Sequence, residues 1–136
     1  MSELPAAPPA YNREAEPFWS AAAKGRLVLP VCDACDHPIW YPRSWCPLCG
    51  SDSVTWTEMS GKGTVHTFSV VYQNRAPGFA EELPYAVGYI TLDEGPQIMS
   101  NITGIDPAEL KIGQKVEVYY EDATPELTVP KFRPIK

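Results

Sequence analysis

Histidine is scarce in this chain of 136 residues: there are two, His37 and His66. Long apolar runs are missing as well, and so is a surplus of basic charge, since 11 Lys and Arg face 17 Asp and Glu for a net charge of -6. Each shortage excludes something. No stretch approaches the roughly 20 apolar residues that cross a bilayer, so no transmembrane helix is expected. The first ten residues lack the basic and hydrophobic stretches of a secretory signal, and a cytoplasmic setting is expected. Duplex nucleic acid requires clustered Lys and Arg against its phosphates, which an acidic chain does not offer. Proline, by contrast, is plentiful at 15 residues, about twice the average usage of about 5%. Each interior proline removes a helix hydrogen bond, so a helical bundle is excluded and strands, turns and loops should dominate. The length suits one domain with a small appendage.

The scarcity of histidine also limits chemistry, because a nucleophilic Ser, Cys or Thr needs an activating group beside it. His66 stands between Val65 and Thr67 in an alternating stretch and reads as a strand residue. Gly61-Lys62-Gly63-Thr64 shares letters with a phosphate loop but lacks the full motif and precedes a strand, so its glycines should shape a strand entry. Glu81-Glu82 and Asp93-Glu94 read as solvated charge. No catalytic residue is expected.

All four cysteines fall in one stretch: Cys32-Asp33-Ala34-Cys35, then ten residues, then Cys46-Pro47-Leu48-Cys49-Gly50. Two C-x2-C pairs each fold into a tight knuckle, and two facing knuckles close a tetrahedral four-sulfur site. Disulfides are the alternative, against which a reducing compartment and the poor bridge geometry of two-residue loops both speak. Zinc is the expected ion; a rubredoxin-type iron site uses the same ligands at the same spacing. Sulfur would fill all four positions, leaving none for water or substrate, so the metal is expected to be structural. Gly50 suits the positive φ that follows a knuckle, whereas Asp36 adopts it less readily. His37 reads as a surface residue near the cluster.

Along the chain, residues 1–11 read as an extended, proline-rich arm. Asn12 is a possible helix cap, and Pro17 suits the first turn of a short helix reaching about Lys24, with Phe18, Trp19 and Ala22 on one side and Gly25 as terminator. Phe18 and Trp19 either pack on their own domain or anchor a partner. Strands are expected at residues 26–31, 39–41 and 54–57 in the ribbon, then at 64–73, 85–93, 97–102, 115–121 and 128–132. Glu94-Gly95-Pro96 marks a hairpin, and residues 105–110 form a one-turn helix after the third strand of this second set. That order is the order of an OB-fold barrel, and a small Greek-key sandwich gives a similar string. The expected architecture is mainly β, with a short N-terminal helix, a rubredoxin-like zinc ribbon and a five-stranded OB-fold. It divides into residues 1–30, 31–51 and 52–136. The loop at residues 74–84, carrying Arg75 and Phe79, reads either as a contact site or as a solvated connection.

The pattern resembles a known family, the zinc-ribbon plus OB-fold proteins first catalogued as a domain of unknown function and described as acyl-CoA-associated. Phe18-Trp19, Tyr41-Pro42-Arg43, Cys46-Pro47-Leu48-Cys49-Gly50, Gly61-x-Gly63-Thr64-Val65, Thr67-Phe68, Pro84-Tyr85, Leu92-Asp93-Glu94-Gly95 and Phe132-Arg133-Pro134 carry the likeness. Asp36 departs from the glycine common after the first cysteine pair. The resemblance implies an accessory subunit of thiolase-superfamily enzymes acting on acyl-CoA thioesters: acetoacetyl-CoA thiolases, or lipid-transfer-protein-like aldolases that cleave steroid side-chain CoA esters. Phe18, Trp19, Arg43, Arg75, Phe79, Lys131 and Arg133 are then the expected contacts to partner or CoA, with Lys136 a further cation. From residue 52 onward seven Lys and Arg face twelve Asp and Glu, a field unfavourable to CoA phosphates, so protein contact is expected before CoA contact. A single-stranded nucleic-acid binder and a free acyl-CoA carrier are the competing readings.

Overall fold

The computed structural model describes residues 13–125 and 127–135. The expected N-terminal arm, the Asn12 cap and Lys136 lie outside the described residues. A 3₁₀ turn, Arg13–Ala15, leads into helix α1, Glu16–Ala22, with Pro17 in its first turn. The helix stops short of Lys24, and Gly25 turns the chain at φ +73°. Strands β1 (Leu27–Cys32) and β2 (Val54–Met59) pair antiparallel, Leu27 opposite Met59 and Cys32 opposite Val54.

The ribbon strand expected at residues 39–41 does not form. A single bridge from Val31 to Pro38 stands in its place, because Pro38 and Pro42 bracket the segment and neither has an N–H to extend a ladder.

From Lys62 the chain builds a closed barrel from β3 (Lys62–Val71), β4 (Tyr85–Leu92), β5 (Gln97–Ile102), β6 (Lys115–Thr124) and β7 (Leu127–Pro134). The spatial order is β3-β4-β5-β7-β6, with β6 returning to β3 through Lys62–Glu117, Gly63–Val116 and Thr64–Lys115. That closure is the OB-fold. The helix expected at residues 105–110 is a 3₁₀ turn, Pro107–Glu109, whose Ala108 N–H donates to the Asp106 carboxylate at 3.0 Å. Gly63, read as shaping a strand entry, is the second residue of β3 and lets it pass close to β4: a Cβ there would lie 2.6 Å from the Thr91 carbonyl oxygen.

Alternation places Ala86, Ile90, Leu92, Ile98, Ile102, Val116 and Phe132 inside the barrel, and Phe18, Leu27, Leu29 and Met59 join the same core. Helix and ribbon sheet are thereby packed onto the barrel rather than tethered to it.

Candidate functional site

The cysteines occupy two knuckles built alike. In the first, Asp36 N–H donates to the Cys32 carbonyl at 2.8 Å and Cys32 N–H to the His37 carbonyl at 2.9 Å. In the second, Gly50 N–H donates to Cys46 at 2.9 Å and Cys46 N–H to Ser51 at 2.8 Å. Asp36 and Gly50 both take positive φ, +61° and +78°. The four Sγ atoms lie within 4.8 Å of one another, with Cys32–Cys49 at 3.5 Å and Cys35–Cys46 at 3.6 Å, and none is in a disulfide. A tetrahedron of about 2.3 Å metal–sulfur bonds has edges of about 3.8 Å, so the set fits a zinc-sized ion.

Thiols this close do not titrate alike. Burial raises Cys46, but the N–H groups of Cys49 and Leu48 and the sulfurs of Cys35 and Cys49 outweigh it and bring the thiol down to about 7. The His37 backbone pulls Cys35 down, but burial and the sulfurs of Cys46, Cys32 and Cys49 push it up to about 12. One sulfur ionises at its neighbour's expense, and a divalent cation is the chemistry that lets all four carry charge together.

Asp33 braces the first knuckle against β2. Its carboxylate accepts from Thr55 Oγ1 and Ser53 Oγ, each at 2.7 Å, and these bonds hold it below the usual aspartate range. Across the ribbon, Ser44 N–H donates to Glu14 at 2.7 Å, lowering that carboxyl and tying the N-terminal turn to the second knuckle.

The expected contact residues fall into three settings. Phe18 is 3% exposed and sits edge-on to Trp19 and Trp40, at centroid distances of 5.1 and 5.5 Å. Its ring belongs to its own core, which corrects the expectation that it reaches a partner. Trp19 is half-buried and donates from Nε1 to Tyr41 Oη at 2.9 Å, fastening α1 to the ribbon. Lys131 is likewise turned inward, paired with Glu121 at 3.1 Å beside a 390 Å³ cavity that also takes in Tyr119, Thr103 and Asn101. Arg43 and Arg75 are exposed; Arg133 is exposed with its guanidinium 5.1 Å from the Tyr119 ring centre. Phe79 is half-buried against Tyr85, whose hydroxyl accepts from Asn74 at 2.9 Å. The contact residues are therefore spread over ribbon, loop and barrel instead of forming one cluster.

His66 is the extra residue of a bulge in β3, where the pairing with β4 shifts between Val65 and Thr67, and it faces solvent. The bulge has no signal in the alternating letters around it. Sequence reasoning also missed the exposed apolar residues Trp45 and Leu48 on the second knuckle, and Tyr89 and Met99 on the barrel. The first pair follows directly from sitting in a cysteine loop; the second needs the strand register.

Comparison with known proteins bears on all of this. The profile described as "ChsH2, rubredoxin-like zinc ribbon domain" matches residues 19–55, and "ChsH2, C-terminal OB-fold domain" matches residues 56–121. A "Probable enoyl-CoA hydratase alpha subunit" of Thermomonospora curvata is 41% identical over 130 residues, which is 93% of this chain and 39% of that protein. This chain thus spans well under half the length of that relative. A "DUF35 domain-containing scaffold protein" of Pyrococcus furiosus is 36% identical over 95 residues, covering 70% of this chain and 68% of that one. Among solved structures, a chain of the "Ltp2-ChsH2(DUF35) aldolase" superposes with a TM-score of 0.83 at 38% identity, covering 93% of this chain and 98% of that chain. Knuckles, barrel and matches agree, and the chain belongs to the DUF35 family, whose members join a zinc ribbon to an OB-fold.

Proposed function

We propose that this chain is a non-catalytic subunit that binds and completes a thiolase-superfamily partner acting on acyl-CoA thioesters. A lipid-transfer-protein-like retro-aldolase of steroid side-chain degradation is the first choice of partner and a thiolase the second. The observation that carries the reading is the near full-length likeness to the ChsH2 component of a solved aldolase.

Its supporting chemistry lies in where the reactive groups go. Four thiols converge on one another as ligands of a structural zinc ion, and His66 points outward from a bulge. In such a complex the acid, base and nucleophile belong to the partner, while Arg43, Arg75, Phe79 and Arg133 remain available for contact with it or with CoA. The barrel's outer β3-β4-β5 sheet has Lys62 as its one Lys or Arg, short of the basic groove that single-stranded nucleic acid requires, which sets that reading behind.

Co-expression with an Ltp2-type subunit tests the proposal. A stable complex on size exclusion, together with aldolase activity that the partner lacks alone, is expected. A partner equally soluble and active without this chain would overturn it. Calorimetry with an acyl-CoA on the isolated chain separates this role from that of a free carrier, which would bind unaided.

A further inference from the structure

On the outer face of β3, β4 and β5 the one charged residue is Lys62, at the start of β3, and the middle of the sheet carries none. Buried Ala86, Gly88, Ile90 and Leu92 alternate with Tyr85, Val87, Tyr89 and Thr91, so the second set points outward. Register places Thr67 and Met99 on either side of Tyr89, and Ser69 and Asn101 on either side of Val87. One residue in five of this chain is charged, yet none of these adjacent outward positions is. The opposite wall differs: β6 and β7 set Glu117 against Arg133 and Tyr119 against Lys131.

Tyr89 is 43% exposed and Met99 52%. Between them lies a hollow of about 280 Å³, also lined by Thr67, Phe68 and Val87. Val87 and Met99 also line a second hollow, of about 190 Å³, that runs to Trp19 and Trp40. The result is a continuous apolar trench from the barrel sheet to the helix that joins it to the ribbon. Solvent-facing sheet positions in monomers are ordinarily dotted with Lys and Glu, whereas the centres of protein interfaces are depleted of charge and enriched in Tyr, Trp and Met.

We infer that this sheet face docks the partner subunit, through an uncharged, apolar surface on that subunit, with Tyr89 and Met99 as its central anchors. The inference rests on the functional reading above and deepens it. Charge selects the occupant. Phosphates of nucleic acid or CoA find one cation on these strands, Lys62 at the start of β3, five residues from the Thr67 that pairs with Tyr89, and an acidic or basic protein surface would lose its own hydration with nothing to pair against in the middle of the sheet. An uncharged protein surface loses neither.

The test measures affinity for the Ltp2 subunit of the solved aldolase, using the full chain with its metal bound. Tyr89→Glu and Met99→Glu should each weaken binding by at least about tenfold, while retaining wild-type metal content and circular dichroism. Ile112→Glu, at a residue 69% exposed in the loop before β6 and on none of the three strands, should bind as wild type does. If the wild-type chain binds Ltp2 and the two face variants bind equally well, the docking face is wrong while the functional reading stands. If the wild-type chain itself fails to bind, the functional reading falls and the docking proposal with it. A wild-type chain that sediments as a dimer, broken by Tyr89→Glu, would assign the face to a second copy; an oligonucleotide complex lost in that variant would assign it to nucleic acid. Either result overturns the inference.

Discussion

Between Cys32 and Val54 the described residues bury Cys32, Ile39, Pro42 and Cys46, with Val54 packed against the cluster of Cys32, Ile39 and Cys46. The helix, ribbon sheet and barrel share a core of thirteen buried side chains. Both regions are held by close packing of their strands or turns, but the knuckles have almost no hydrophobic core. Their order has to come from convergence of the four sulfurs on an ion. Apolar area holds the barrel; coordination holds the ribbon tip, and the shared core at Leu27, Leu29 and Met59 welds the two together.

The sharpest way to break this comparison is to take away the metal. Cys46→Ser, or a strong chelator at neutral pH, should remove most of the roughly 10–16 kcal/mol that such a site contributes. Amide exchange should then show the knuckles open while β4 and β5 stay protected; loss of barrel protection at the same chelator concentration would contradict the division. The converse change is Phe132→Ala. Phe132 is fully buried, so truncation should cost about 3–5 kcal/mol by denaturant unfolding, with metal affinity unchanged while the protein remains folded.

Smaller changes compare the knuckles with each other. Asp36 holds the conformation that Gly50 holds at the equivalent place. Relief of the left-handed strain, about 1–2 kcal/mol, exceeds the added chain entropy of glycine. Asp36→Gly should therefore strengthen metal retention by about 0.5–1 kcal/mol in chelator competition, and weaker retention would refute the equivalence. The smallest effect expected is that of Asp33→Asn. Hydrogen bonds from Thr55 and Ser53 lower the Asp33 carboxyl, so its contribution is fully present above the ordinary aspartate range near about 4 and fades as pH falls through the lower folded value. The variant should release metal faster than wild type near neutrality, with the difference narrowing below about pH 4.

The parts of this architecture governed by local chemistry were legible in the letters. Two C-x2-C pairs fix ligand number, the alternation in residues 85–92 fixes a half-buried strand, and Pro17 and Gly25 bracket the helix. What depended on tertiary pairing was not. The segment at residues 39–41 has strand-forming residues, yet its flanking prolines leave it a single bridge. Phe18 and Trp19 look equivalent as neighbours, but one helical step turns Phe18 into the core and leaves Trp19 against Tyr41. Lys131 reads as a surface cation until β6 brings Glu121 beside it. The uncharged face spans three strands, and its residues become neighbours only once register places Thr67, Tyr89 and Met99 in one row.

Under the proposed function, labour is divided between this chain and a catalytic partner. The most direct test of that division is cleavage of a steroid side-chain acyl-CoA, assayed with the purified chain alone, an Ltp2-type subunit alone, and the two combined. Activity confined to the mixture is the predicted result. Turnover by this chain alone would contradict it.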